Sequence, residues 1–243
     1  MDAIPQNYLR RNVEQVRDRI NRAAASARRD AKQIKLISVS KTFSASHIES
    51  ACHIGLKNFG ENRVQEAVDK MDHKFSQPIQ WHLIGHLQSN KAKTAVEHFH
   101  WIHSVDSLKL LTRLERTAAE SGTAPRILIQ VDLAGEATKH GARIDEVRHM
   151  CQFANTCKAI VVKGLMIIPP AHKDVELVRP YFERLRQLRN TLVAEGADKN
   201  VFTELSMGMS RDFEIAIEEG ATMVRVGTAI FGNRTSRHLQ QRR

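Results

Sequence analysis

The chain predicts an α/β protein: a single-domain (β/α)8, or TIM, barrel preceded by one extra helix. Three observations carry that prediction. Apolar, β-branched runs recur near 34–40, 56–59, 79–84, 101–105, 126–132, 160–168, 202–206 and 223–226. Helical patterns alternate with them near 46–54, 62–74, 90–98, 107–121, 143–156, 175–195 and 211–219. No G-x-G-x-x-G follows the first run, which removes the main signal for an open, doubly wound sheet.

Taken in order, residues 7–30 read as a polar, Arg-rich helix. The first run, "IKLISVSKTFSASH", ends in Lys41 and then breaks into a helix start, with Ser44 or Ser46 as N-cap and Glu49 three residues after Ser46. A charged residue closing a buried strand is an unusual place for a surface lysine. In a parallel barrel, chemistry gathers where strands end and βα loops begin. Those places hold "FGEN" with Asn62, "IGHLQSNK", "VDLAGEATKHG", "MGMSRD" and "RVGTAIFG". The barrel domain is expected over 1–233, with a disordered basic tail over 234–243.

Composition narrows the function classes. Residues 1–35 carry nine Lys/Arg against four Asp/Glu, and residues 234–243 carry four Arg and no acid. The body between them is nearly neutral, so the net charge of +10 belongs to the ends. With aromatics at 5%, base-stacking platforms are scarce, and a dedicated nucleic-acid reader is not expected. No apolar run reaches a membrane span and no signal-peptide core precedes the first helix. Cys52, Cys151 and Cys157 lack metal-like pairing and read as reduced cysteines of a cytoplasmic protein.

Two turns matter most. "SMGMS" holds Gly208 in a turn, Met209, and Ser210 placed to cap the next helix; "VGTAIFG" places Gly227 and Thr228 at another helix start. Glycine admits close approach of a ligand, and N–H groups at a helix start attract anions. Loops after strands seven and eight of such barrels frequently hold phosphate. Either turn alone is an ordinary cap; the pair, in those positions, favours phosphate. A lysine facing a phosphate cradle suggests a phosphorylated aldehyde held as a Schiff base, with an aldolase-type lysine as the rival. Arg225, two residues before Gly227, would point into the mouth beside the phosphate loop or serve as a salt-bridged barrel arginine.

"SVSKTFSASHIESACHIGLKNFGENRVQEAVDKM", "WHLIGHLQSNK", "GLMIIPP" and "LSMGMSRDFEIAIEEGATMVRVGTAIFG" closely resemble the pyridoxal phosphate homeostasis protein family over about residues 5–233. That family resembles the barrel domain of alanine racemase without its second, β-rich domain. The resemblance implies that Lys41 carries pyridoxal 5'-phosphate as a Schiff base, that Ser210, Gly227 and Thr228 hold the phosphate with Met209 beside them, and that Arg225 faces the pyridine nitrogen. Asn62 and the "WHLIGHLQSNK" loop would line the site, and Lys139 would be a secondary contact or a solvated loop lysine. Many relatives have a basic residue where this chain has Phe43, which removes support for a second-site role there.

Other candidates carry less. His98, His100 and His103 in "EHFHWIHS" have no spacing that gathers three metal ligands, so no metal is expected. Asp106 with Ser104 reads as an N-cap turn. A racemase needs a second acid/base opposite the lysine. In alanine-racemase-like enzymes that group is a tyrosine of the second domain, and the tyrosines here, Tyr8 and Tyr181, lie away from the strand ends. An arginine at the ring nitrogen weakens the ring as an electron sink. The expectation is a monomeric buffering or delivery protein that meets apo pyridoxal enzymes transiently, with no dedicated catalysis. A slow amino-acid racemase is the alternative, and a sugar-type aldolase or isomerase would need Glu61 poised near Lys41.

Overall fold

Eight parallel strands close into a barrel in chain order in a computed structural model that describes residues 4–135 and 140–232. They are β1 (Lys35–Val39), β2 (Asn58–Glu61), β3 (Gln80–Leu83), β4 (Trp101–Val105), β5 (Arg126–Gln130), β6 (Val161–Met166), β7 (Glu204–Met209) and β8 (Met223–Val226). β8 pairs with β1 in the register Ile37 to Arg225, which seals the ring. The helices are α1 (Gln6–Ser26), α2 (Ala45–His53), α3 (Val64–Met71), α4 (Ala92–His98), α5 (Leu108–Ser121), α6 (Ile144–Ala154), α7 (Arg179–Ala194), α8 (Phe213–Glu218) and α9 (Thr228–Phe231). The expected basic tail over 234–243 lies outside the described residues.

Strand periodicity sorts the core. Ile37, Trp101, Leu128, Met166 and Met223 form an apolar plug inside the bore. Two residues further along the chain come Val39, His103, Gln130, Ile168 (just past β6) and Arg225, so the next layer is far more polar. Outward residues such as Phe59, Leu83, Ile102 and Ile127 join the helices in the larger core. α1 offers Leu9, Val13, Val16 and Ile20 on one stripe and packs against α8 and α9, with Asn12 Nδ2 donating to Ile230 O over 2.9 Å.

Three departures from the sequence reading have a clear physical reason. α1 stops at Ser26, short of the expected 30, because Arg28 turns left-handed at φ 54° and Arg29 N–H closes on Ala24 O at 2.8 Å. The second strand is displaced from the expected 56–59 to Asn58–Glu61, since its polar residues serve it: Asn58 faces the bore and Glu61 faces α3. β7 runs on through Gly208, which lies in a strand bulge, not in a turn. At φ 89°, a Cβ there would stand 2.6 Å from Ala216 Cβ, so this glycine admits α8 against the sheet. The cysteines are unpaired, and burial pushes Cys52 to about 11 and Cys151 and Cys157 to about 12. No described helix is long and apolar enough to cross a membrane.

Candidate cofactor site

The C-terminal ends of the strands surround a cavity of about 670 Å³, within the range of small-molecule sites. Lys41, Asn62, Met209, Ser210, Arg225, Gly227 and Thr228 all line it. The sequence placed these residues on separate strand ends, and barrel closure brings them to one space.

Lys41 sits in a turn closed by Phe43 N–H on Ser40 O at 3.0 Å. Thr42 occupies the position after it with φ 71°, where glycine is usual. The residues flanking Lys41 are tied down from below. Ser40 Oγ donates to Glu61 Oε1 at 2.6 Å, and Thr42 N–H donates to Glu66 Oε1 at 2.6 Å. Lys70 Nζ, 8% exposed as a residue, donates to Ser40 O at 3.1 Å and to Glu61 and Glu66 at 2.8 Å each. Burial raises the Glu61 carboxyl above the usual carboxylate range, only partly offset by Lys70 and Ser40. Burial also pushes Glu66 upward, but hydrogen bonds from Lys70 and Thr42 outweigh it and hold that carboxyl low. Glu61 is therefore spent on the turn, and it is not among the described residues that line the cavity.

On the opposite wall, Ser210 has a different role from the one expected. It does not cap α8, whose N-cap position is Asp212. Its Oγ instead accepts N–H bonds from Gly227 at 3.2 Å and Ala229 at 3.5 Å, drawing the loop after β7 onto the turn after β8. With both contacts accepted, the hydroxyl proton remains to donate into the cavity. Asp212 Oδ1 accepts from Met209 N–H at 2.5 Å and holds the start of the loop.

Arg225 is 3% exposed. Its Nη1 donates to Ser206 Oγ at 2.6 Å and its Nη2 to Ile167 O at 2.8 Å. Burial pushes its pKa down to about 10, with Asp212 opposing, so it stays a cation at neutral pH. Across the mouth, Asn62 meets Gly85 backbone to backbone: a Cβ on Gly85 would stand 2.3 Å from Asn62 O.

This frame matches known proteins along its length. The family described as "Alanine racemase, N-terminal domain" matches residues 4–235. The pyridoxal phosphate homeostasis protein of Aquifex aeolicus is 40% identical over 91% of this chain and 96% of its own. That of Escherichia coli strain K12 is 40% identical over 94% and 97%. The chain belongs to the pyridoxal phosphate homeostasis protein family. Among solved structures, PipY of Synechococcus elongatus with PLP bound superposes with TM-score 0.77 at 40% identity, covering 88% of this chain and all of that one. An alanine racemase of Clostridium difficile, 14% identical with TM-score 0.70 over 95% of this chain and 58% of its own, shares the fold.

In this pyridoxal phosphate homeostasis family member the "WHLIGHLQSNK" loop and His140 of "EATKHG", both expected at the mouth, do line the cavity, but their meeting with Asp106 is what sequence reasoning missed. His86 and His140 line the cavity with rings stacked at 3.7 Å. Both turn Nδ1 toward Asp106 Oδ2, at 3.3 and 3.8 Å. Asp106 is thus no capping residue. Ser107 caps α5 by accepting from Leu110 N–H, and Ser104 Oγ donates to Gly85 O at 2.6 Å. The ligand atoms of His86, Asp106 and His140 lie within 4.8 Å of one another.

The three histidines weighed from sequence diverge from one another. His98 Nδ1 meets Thr94 O, His100 Nδ1 accepts from Trp81 N–H, and His103 is in the bore. Phe43 lines the cavity and packs on Phe231 at 5.0 Å. Lys139 lies outside the described residues. Neither tyrosine is among the described lining residues, although Tyr8 comes nearer than its helix suggests, its hydroxyl lying against Gly232 at the cavity edge.

Proposed function

We propose that this protein binds pyridoxal 5'-phosphate in the cavity through Lys41 and serves as an intracellular reservoir or delivery protein for it, without dedicated catalysis. One observation carries the reading: a lysine amine, a buried guanidinium and two hydroxyls, Ser210 and Thr228, line one cavity of about 670 Å³. That donor set fits an aldehyde, a ring nitrogen and a phosphate. The PLP-bound PipY structure, at 40% identity, supports the same ligand.

When bound, the cofactor supplies an aldehyde that condenses with a primary amine and an aromatic ring that can take up electron density. Lys41 provides that amine from a turn whose main chain is clamped by Glu61, Glu66 and Lys70. Ser210 and Thr228 hold the anionic end by charge-assisted hydrogen bonds. Arg225 offers only donors, so a nitrogen facing it accepts a hydrogen bond and stays unprotonated, which discourages electron-sink chemistry. Purified protein is expected to absorb near the violet edge of the visible and to lose that band on borohydride reduction. Mass spectrometry then finds the adduct on the peptide with Lys41; an adduct on a different lysine sinks the assignment. Ser210→Ala with Thr228→Ala weakens retention by orders of magnitude while the fold persists, each lost bond to a charged group being worth about 1.5–3 kcal/mol.

A second reading, a slow amino-acid racemase, is favoured by His86 and Asp106. An imidazole held by a carboxylate on the cavity wall is a general acid/base of the kind the missing tyrosine would supply. Loaded protein mixed with an apo pyridoxal enzyme separates the two. Restored activity of the recipient, with negligible amino-acid turnover by the donor alone, supports the reservoir. Turnover above about 1 s⁻¹ that disappears in His86→Ala establishes the enzyme.

A further inference from the structure

A file of hydrogen bonds crosses the bore beneath the cavity. Arg225 Nη1 meets Ser206 Oγ at 2.6 Å, Ser206 Oγ meets His103 Nδ1 at 2.9 Å, His103 Nε2 meets His82 Nδ1 at 3.0 Å, and His82 Nε2 meets Asn58 Oδ1 at 3.1 Å. Ser206, His82 and His103 are each fully buried, and the five residues of the file come from β8, β7, β4, β3 and β2. His82 also stacks on Trp101, with centroids 5.8 Å apart and planes within 8°, so the ring cannot turn freely.

One direction gives every proton of this file a partner within it. A guanidinium only donates, so Ser206 Oγ must accept from Arg225. The single hydroxyl proton of Ser206 then goes to His103 Nδ1. A neutral His103 with Nδ1 accepting carries its proton on Nε2 and donates to His82 Nδ1. His82 in turn donates from Nε2 to the Asn58 carbonyl oxygen. The reversed order, with Asn58 flipped and both imidazoles protonated on Nδ1, gives Ser206 two incoming donors and removes His103 as acceptor for its hydroxyl proton. Burial holds both imidazoles well below the ordinary histidine range, and the nearby cations Lys35, Arg126 and Arg225 add to that. Neutral rings are what a one-way file requires.

We infer that Ser206, His103, His82 and Asn58 are positioning residues for Arg225: their directed hydrogen bonds keep an acceptor under the guanidinium and fix its orientation to the cavity. The charged group of the site is thereby held by neutral partners. A carboxylate in the place of Ser206 would spend the arginine's charge on an ion pair; a hydroxyl steered by two neutral imidazoles leaves that charge, beyond its longer-range attraction to Asp212, for whatever the cavity holds. The other Nη is satisfied by the Ile167 carbonyl, which is also uncharged. The far end of the file, Asn58, borders a separate basal pocket lined by Lys35, Arg17 and Lys57, at the other end of the barrel from the cavity. This inference rests on the reading of the cavity as a pyridoxal phosphate site for its consequence, but not for its geometry.

Two measurements test it separately. Long-range ¹H–¹⁵N spectra of protein freed of cofactor should show His82 and His103 both as Nε2–H tautomers, without titration between about pH 5 and 8. An imidazolium in that window, or an Nδ1–H tautomer at His103, overturns the directed file whatever the protein binds. Ser206→Ala and His103→Gln, loaded with pyridoxal phosphate, should then release it about tenfold faster than wild type and shift its absorption maximum, with Asn58→Leu giving the same shift in smaller measure. Folded variants with wild-type release and spectrum overturn the positioning role and leave the cofactor reading intact. If wild type itself takes up no pyridoxal phosphate, the cofactor reading falls, and the tautomer spectra still decide the file. Should Ser206→Ala fail to fold, Asn58→Leu at the pocket-bordering end, compared with wild type by release rate, decides the positioning role.

Discussion

Two buried polar clusters lie within a few residues of the cavity, and they are built from opposite materials. Behind β1 and β2, Lys70 is gripped by Glu61, Glu66 and the Ser40 carbonyl, a cluster of full charges. Inside the bore, Arg225 ends a file of neutral groups. The ionic cluster holds main chain: its targets are the Ser40 carbonyl and hydroxyl and the Thr42 N–H, on either side of Lys41. The neutral file holds one side chain and leaves its charge uncompensated by any carboxylate hydrogen bond among the described residues. Charge spent inward gives a rigid turn; charge left over gives a site.

The sharpest way to break this contrast is Lys70→Met. Stranding the fully buried Glu61 carboxylate should cost about 3–5 kcal/mol, read from the urea midpoint. Glu61→Leu with Lys70→Met should recover much of that loss, since the pair is removed together. If the single variant costs no more than a surface change, the cluster is ornamental and the contrast fails.

Acidification comes next in size. Each bore imidazole is held below its unfolded value near 6.5, so folding favours its neutral form. The unfolded chain binds more protons as pH falls below that value, and stability present above it is lost by up to about 1.4 kcal/mol per pH unit for each ring. His103→Gln should halve the bore's contribution to this slope. Glu66, held low, acts at more acid pH in the same sense: its contribution is present above the unfolded carboxylate range and is lost as pH falls through its depressed value. Glu61, held high, acts oppositely, because protonation relieves its burial. A profile flat between neutrality and pH of about 5 would show that the imidazoles titrate normally.

The smallest effect belongs to Arg179. It bridges Glu176, Glu218 and Glu219, more carboxylates than Lys70 meets, but at a partly exposed surface. Arg179→Ala should cost about 1 kcal/mol or less, most of it gone in high salt. A loss rivalling that of Lys70→Met would mean that the count of ion pairs, not their burial, sets their worth.

Much of this architecture is legible in the sequence. Parallel barrel strands are buried on both faces and read as apolar runs, so β1, β4, β5, β6 and β8 stand out. β2 is harder, because "NFGE" buries an acid whose partner, Lys70, lies on the following helix. Lys41 and Arg225 were legible because a cation ending or interrupting an apolar run has few routine uses. Ser210 was found for its place, but no local pattern reveals that it reaches across to Gly227 instead of capping α8. His86, Asp106 and His140 lie on three separate loops and show no spacing of their own. The bore file was invisible for the same reason: His82 and His103 look like ordinary alternation until closure sets their strands side by side.

Thr42 has a meaning for sequence drift. A β-branched residue at φ 71° carries roughly 1–2 kcal/mol of backbone strain that glycine or asparagine would not. A chain wandering under selection for stability alone would therefore shed the threonine. Glycine at 42 would also loosen the unfolded chain and let the turn sample other shapes, so the same substitution that relaxes the fold frees the amine beside it. Threonine narrows the shapes open to the turn beside Lys41, and the strain is what that narrowing costs.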